Sequence, residues 1–253
     1  MDERHTSCID FAQSDCCIKS IVKLRSLRPP IRPTICPFTV SMRYAQATLI
    51  CLFENACVTT IAVVFHSAKG TTAKLADAVI AGVQSSPNAT ALRMEIVGAD
   101  IIEGRFRNTA FIDQLDQVDA MIFGSPTFMG SVSAQFKAFA DATGEKWGEK
   151  AWADKFAAGF TIGTNLSGDQ LHTLQYLQIF ANQHGMLWAS LDIPGGCDPE
   201  QRNRLGAQSG LIAHTDNGVL HEVDLVTAHY LGRRVAELAT RFSAPNPPAK
   251  SVA

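Results

Sequence analysis

Three short segments concentrate residues able to bind a ligand. The first is His66-Ser67-Ala68-Lys69-Gly70-Thr71-Thr72, between an apolar run and an amphipathic one. Ser67, Thr71 and Thr72 offer hydroxyls, and Gly70 allows a tight turn. A helix starting here adds free amide N–H groups and the positive end of its dipole, which suits a terminal phosphate. Helix N-capping by the same hydroxyls is the plainer alternative. The order is neither G-x-x-x-x-G-K-[ST] nor G-x-G-x-x-G, so the Walker loop and the dinucleotide fingerprint are excluded. The second segment is Gly124-Ser125-Pro126-Thr127-Phe128-Met129-Gly130-Ser131. Phe128 and Met129 are bulky apolar groups in a loop, as a flat aromatic ligand would want; folding back onto the core is the alternative. The third, Thr161-Ile162-Gly163-Thr164-Asn165-Leu166-Ser167-Gly168-Asp169, can turn backbone N–H groups toward a heteroaromatic edge, or be an ordinary turn.

The elements that must carry these loops alternate. Continuous apolar, β-branched runs predict strands over residues 60–65, 92–97, 118–123, 156–161 and 186–190. Helical spacing predicts helices over 71–84, 131–143, 168–184 and 222–242, with a short one near 109–115. This alternation implies an α/β fold: a doubly wound, five-stranded parallel sheet, order 2-1-3-4-5, with helices on both faces. Ligands bind such sheets beyond the carboxyl ends of the strands, where all three loops fall.

The chain has 253 residues, 46% of them hydrophobic and 18% charged, with a net charge of −2. That composition supports a sizeable core and excludes a disordered chain or a nucleic-acid binder working by bulk positive charge. Six of the seven cysteines (Cys8, Cys16, Cys17, Cys36, Cys51, Cys57) precede residue 60 and only Cys197 follows it. The head has no C-x-x-C pair, so no metal site is expected; it has no apolar signal region either. Residues 1–59 are expected to form a poorly ordered extension, 60–242 the working domain and 243–253 a disordered tail. Residues 47–64 are long enough for a membrane span, but Glu54 and Asn55 sit at their centre. No span is expected, and the location expected is cytoplasmic.

A phosphate cradle, an apolar sandwich and an amide loop at one end of a doubly wound sheet describe a site for FMN. Residues 60–242 resemble the flavodoxin-like NAD(P)H-dependent oxidoreductases, most closely the WrbA-type NAD(P)H:quinone oxidoreductases. The resemblance rests on Phe65 to Thr72, on Gly124-Ser125-Pro126-Thr127 with Gly130, on Phe136-Lys137-Ala138-Phe139, on Asp141-Ala142-Thr143-Gly144-Glu145-Lys146-Trp147 and on His184-Gly185-Met186. It implies FMN held by Ser67, Ala68, Lys69, Gly70, Thr71, Thr72, Pro126, Thr127, Phe128, Met129, Gly130, Thr161, Gly163, Thr164 and Asn165. It implies NADH or NADPH as donor, a quinone-like small molecule as acceptor, and a homodimer or homotetramer. In that family a Trp at the position of Trp147 lies over the flavin, often from a neighbouring subunit, and a His at the position of His184 sits close to it. His184 is thus the one catalytic candidate, for stabilising negative charge, and Trp147 the substrate platform. Otherwise His184 is a helix-end histidine capped by Gly185, and Trp147 a core or interface aromatic. The chain departs from the family where Phe128 and Met129 replace Arg-Phe, and where Gly168-Asp169-Gln170 replaces Gly-Gln-Glu. An electron-carrier flavodoxin and a flavin-free scaffold are the other readings; a net body charge of −4 over residues 60–253 gives a carrier no dense acidic docking face.

Overall fold

Strands buried on both faces need apolar residues at every position, and the first run meets this demand: Ile61, Val63 and Phe65 face one layer while Ala62 and Val64 face the other, all five fully buried. The structure is a computed structural model that describes residues 58–243. The cysteine-rich head and the tail lie outside those residues, apart from Val58 and Thr59, of which Thr59 opens the first strand, and Ser243, which ends the last helix.

The elements are β1 (Thr59–Phe65), α1 (Thr71–Gln84), β2 (Ala89–Glu95), a small hairpin of β3 (Ile101–Ile102) and β4 (Arg105–Phe106), α2 (Thr109–Gln114), β5 (Ala120–Pro126), α3 (Ala134–Ala142), α4 (Gly144–Gly148), β6 (Phe156–Gly163), α5 (Gln170–Gln183), β7 (Leu187–Trp188), β8 (Leu211–Asp216), β9 (Val219–Leu220) and α6 (Glu222–Ser243). The main sheet runs β2-β1-β5-β6-β8-β9, with β7 also on β6. All its pairings are parallel except β8 with β9.

Seven strands stand where five were expected. The run at 186–190 gives only the two residues of β7, which pair with Phe156 and Ala157 at the start of β6. Residues 189–210 then leave the sheet, and β8 returns to pair with Phe160 to Gly163 at its end. The fifth place is therefore split between two strands. Gly210 marks the re-entry: a Cβ there would lie 2.6 Å from the Gly159 carbonyl. The inserted loop is pinned by Asn203, whose side chain donates to Ile193 O (2.8 Å) and accepts from Ala207 N (3.0 Å).

α1 and α6 cover one face, and α2, α3 and α5 the other. α1 and α6 touch backbone to backbone. A Cβ on Gly82 would lie 1.9 Å from His229 O, and one on Gly232 2.0 Å from Val79 O. The opposite layer is aromatic, with Phe106, Phe111, Phe136, Phe139 and Phe180 in edge-to-face contacts. No helix among the described residues is long and apolar enough to cross a membrane.

Candidate functional site

The three loops follow β1, β5 and β6, which are adjacent in the sheet, so parallel pairing brings them to one edge. α1 begins at Gly70, which adopts φ 82° and supplies no side-chain cap. Ser67 does the bonding nearby: its Oγ accepts from Ala73 N at 3.1 Å. Lys74 N bonds back to Gly70 O at 3.1 Å. Among the described residues, the amides of Ala68, Lys69, Gly70, Thr71 and Thr72 find no protein acceptor. Ala68, Lys69 and Gly70 are exposed and Thr71 is half-buried. A run of free donors at a helix start is what a phosphate group requires, so the loop fits the phosphate of FMN. Thr72 is buried. Behind the loop sits buried His66. Burial pulls its imidazole below the usual histidine range, and Glu95 partly opposes this.

The second loop is rigid at its base and exposed at its tip. Pro126 ends β5. Phe128 and Ser131 exchange backbone hydrogen bonds of 2.9 and 3.1 Å around Met129 (φ 48°) and Gly130 (φ 78°). Two positive φ values make this a hairpin-type turn that a Met occupies at a cost. Phe128 is half exposed and Met129 fully so; neither folds back onto the core. His172 Nδ1 lies 2.6 Å from Gly130 O and ties the tip to α5.

Thr127 and Thr161 face the scaffold instead. Thr161 Oγ1 donates to Ser125 O (2.8 Å), which uses its only proton. It must then accept from Thr127 Oγ1 (2.8 Å), which in turn accepts from Thr173 Oγ1 (2.8 Å). This chain of hydroxyls joins β5, β6 and α5 beneath the loops. The fully buried Thr161 side chain braces the site from below. Gly163, Thr164 and Asn165 rise above it. A Cβ at Gly163 would lie 3.0 Å from the Gln170 amide, so that side chain would have to shift to admit one. Spacing alone gave no signal for Gln170, His172 or His214, which contact these loops through side chains from other elements.

His184 and Trp147 lie elsewhere. α5 starts at the third loop and its 14 residues carry the chain about 20 Å away. His184 caps its far end. Its neighbours precede strands instead of following them: Asp154 N bonds Gly185 O (3.0 Å), and Trp152 Nε1 and Lys146 Nζ reach Asp116 (2.9 and 2.7 Å), just before β5. The two residues do come together with each other, in a groove of about 350 Å³ with Thr143, Tyr176, Ile179 and Phe180. Trp147 is half exposed there. His184 is buried and packs against Trp152 at 4.3 Å between ring centroids. Burial lowers its pKa to about 4, so it is neutral at pH 7. Thr143 Oγ1 donates to Ala140 O (2.8 Å), so His184 Nε2–H donates to it (2.9 Å) and Nδ1 is left as a bare acceptor.

Residues 60–191 match the model of the family described as NADPH-dependent FMN reductase. A protein of Pseudomonas aeruginosa named flavodoxin FldP is 36% identical over 190 residues, spanning 72% of this chain and 97% of that protein. An NAD(P)H dehydrogenase (quinone) of Archaeoglobus fulgidus is 34% identical over 198 residues, spanning 72% and 98%. Among solved structures, a WrbA-like flavodoxin from Agrobacterium tumefaciens superposes with a TM-score of 0.56 at 37% identity, over 72% of this chain and 98% of that one. The architecture is a flavodoxin-like α/β fold with a parallel sheet and helices on both faces.

Proposed function

The chain belongs to the NADPH-dependent FMN reductase family, and from that premise we propose that it is an FMN-dependent oxidoreductase moving a hydride from NADH or NADPH to a quinone or similar small acceptor. The observation that carries this reading is the row of unpartnered amides at residues 68–72, beside the two loops that follow β5 and β6. FMN, when bound, would supply the hydride chemistry that links nicotinamide to acceptor. The chain's own residues position and shield. Ser67 to Thr72 would hold the phosphate, Phe128 and Met129 would cover one side of the ring, and Gly163 to Asn165 would meet its polar edge. Overall, NAD(P)H, a proton and a quinone become NAD(P)+ and a hydroquinone.

Trp147 and His184 enter through a second copy. They share an apolar groove at the opposite edge of the sheet from the three loops, so within one chain they do not reach the ring. A homodimer or homotetramer that seats this groove over a neighbour's loops gives the ring a Trp platform, with neutral His184 in the groove wall. The cytoplasm, which holds an NAD(P)H pool, is the location this reading proposes.

The relative named a flavodoxin favours a second reading, an electron carrier with no turnover of its own. Steady-state oxidation of NADH and NADPH with a soluble benzoquinone separates the two. Sustained turnover that depends on FMN supports the oxidoreductase. A flavin-loaded protein that turns over neither donor is a carrier.

A further inference from the structure

The third loop is held from two sides, by a side chain from a distant strand and by one from the helix that follows it. Thr164 O accepts from His214 Nε2 at 3.1 Å. His214 belongs to β8, which flanks β6 on the side away from β5. No peptide bond among the described residues is cis. In a trans peptide the C=O and the following N–H point in opposite directions. Drawing the Thr164 carbonyl toward β8 therefore turns Asn165 N–H toward β5 and the Phe128–Met129 loop, where the ring is to lie. The next peptide plane is fixed from within. Asn165 O accepts from Gln170 Nε2 at 2.7 Å. Gln170 is fully buried, with its amide against Gly163. Among the described residues, neither Asn165 N nor Leu166 N has a protein acceptor.

His214 is itself braced. Its backbone N–H donates to Asp224 Oδ2 at 2.9 Å, and Arg204 from the inserted segment grips the same carboxylate with two bonds of 2.8 Å. Asp224 is buried. Preorganised donors of this kind have effect because no reorientation is needed when charge appears.

We propose that His214 and Gln170 are positioning residues that lock the Thr164–Leu166 backbone so that Asn165 N–H is presented to the polar edge of the cofactor ring, favouring its electron-rich reduced state. The proposal rests on the reading of the three loops as an FMN site. It assigns to the split fifth strand a role in tuning: β8 brings His214, and the inserted segment holds β8 through Arg204.

The test uses the full chain with bound FMN and the variants His214→Leu and Gln170→Leu. Dissociation constants are measured for oxidised FMN, and the two-electron midpoint potential of the bound cofactor is measured beside them. His214 is only half-buried, so His214→Leu keeps the fold even where Gln170→Leu does not. In His214→Leu, oxidised FMN should bind within about threefold of wild type. Reduced FMN should weaken about tenfold more than oxidised, which moves the midpoint about 30 mV negative. An unchanged midpoint with intact FMN affinity overturns the proposal and leaves the FMN site standing. Failure of the wild-type protein to take up FMN overturns both.

Discussion

At the residue scale, the candidate loops offer donors left free, and the groove at the other edge holds a buried histidine kept neutral. The phosphate loop invites an anion because its amides are unpartnered and its helix begins on a glycine in place of a capping carboxylate. Thr71→Glu places a carboxylate at the same donors, where it competes with and repels the phosphate. FMN affinity, followed by flavin fluorescence quenching, should fall at least about tenfold, a cost of about 1.4 kcal/mol; unchanged affinity would remove the phosphate assignment. His184 makes a second prediction. Its pKa is lowered to about 4 in the fold, against about 6.5 unfolded. Between these values the unfolded chain binds the extra proton, so stability falls as pH drops from about 6.5 toward 4, by at most about 3 kcal/mol, and is flat above. Urea unfolding across that range should show the slope, and His184→Gln should reduce it. The loops themselves were legible in the sequence as short runs rich in Gly, Ser and Thr between apolar segments, and the structure brings them together at one end of the sheet. The inward turn of the Thr127 and Thr161 hydroxyls was not legible, since it depends on partners 34 to 46 residues away.

At the scale of elements, local pattern located what is continuous in the chain and missed what is divided. α1 spans the residues its apolar spacing predicts, and β1 and β6 lie within two residues of expectation. Their runs are long enough for periodicity to decide. The split fifth strand was hidden because β7 is two residues long and β8 lies beyond a 22-residue gap. The small β3–β4 hairpin and the five-residue α4 are likewise too short for a periodic signal. The distance between His184 and the ligand loops follows from connectivity alone: a helix that starts at a strand's carboxyl end finishes at the amino edge of a parallel sheet. The contact of α1 with α6 gives this scale its prediction. Gly82→Ala gains about 1 kcal/mol of helix propensity, but its methyl meets a backbone carbonyl that cannot rotate away. Overpacking of this kind costs 1–3 kcal/mol or more. A net loss of about 1–2 kcal/mol by urea denaturation is expected, and a more stable variant would contradict the packing described.

At the scale of the whole molecule, the two edges of the sheet carry complementary halves of one proposed site. One edge offers free donors and the exposed Phe128 and Met129; the other offers an apolar groove with Trp147 and His184. Self-association that joins them should appear as a dimer or tetramer by light scattering. Trp147→Ala should lower quinone turnover while sparing FMN affinity at the phosphate loop. A strict monomer with full activity would rule out the shared site. The central claim, that this chain holds FMN, is tested most directly by the visible absorption spectrum of the purified protein, with the released cofactor identified by chromatography. A flavin spectrum yielding FMN is the result expected. A colourless protein that also fails to take up added FMN would contradict it.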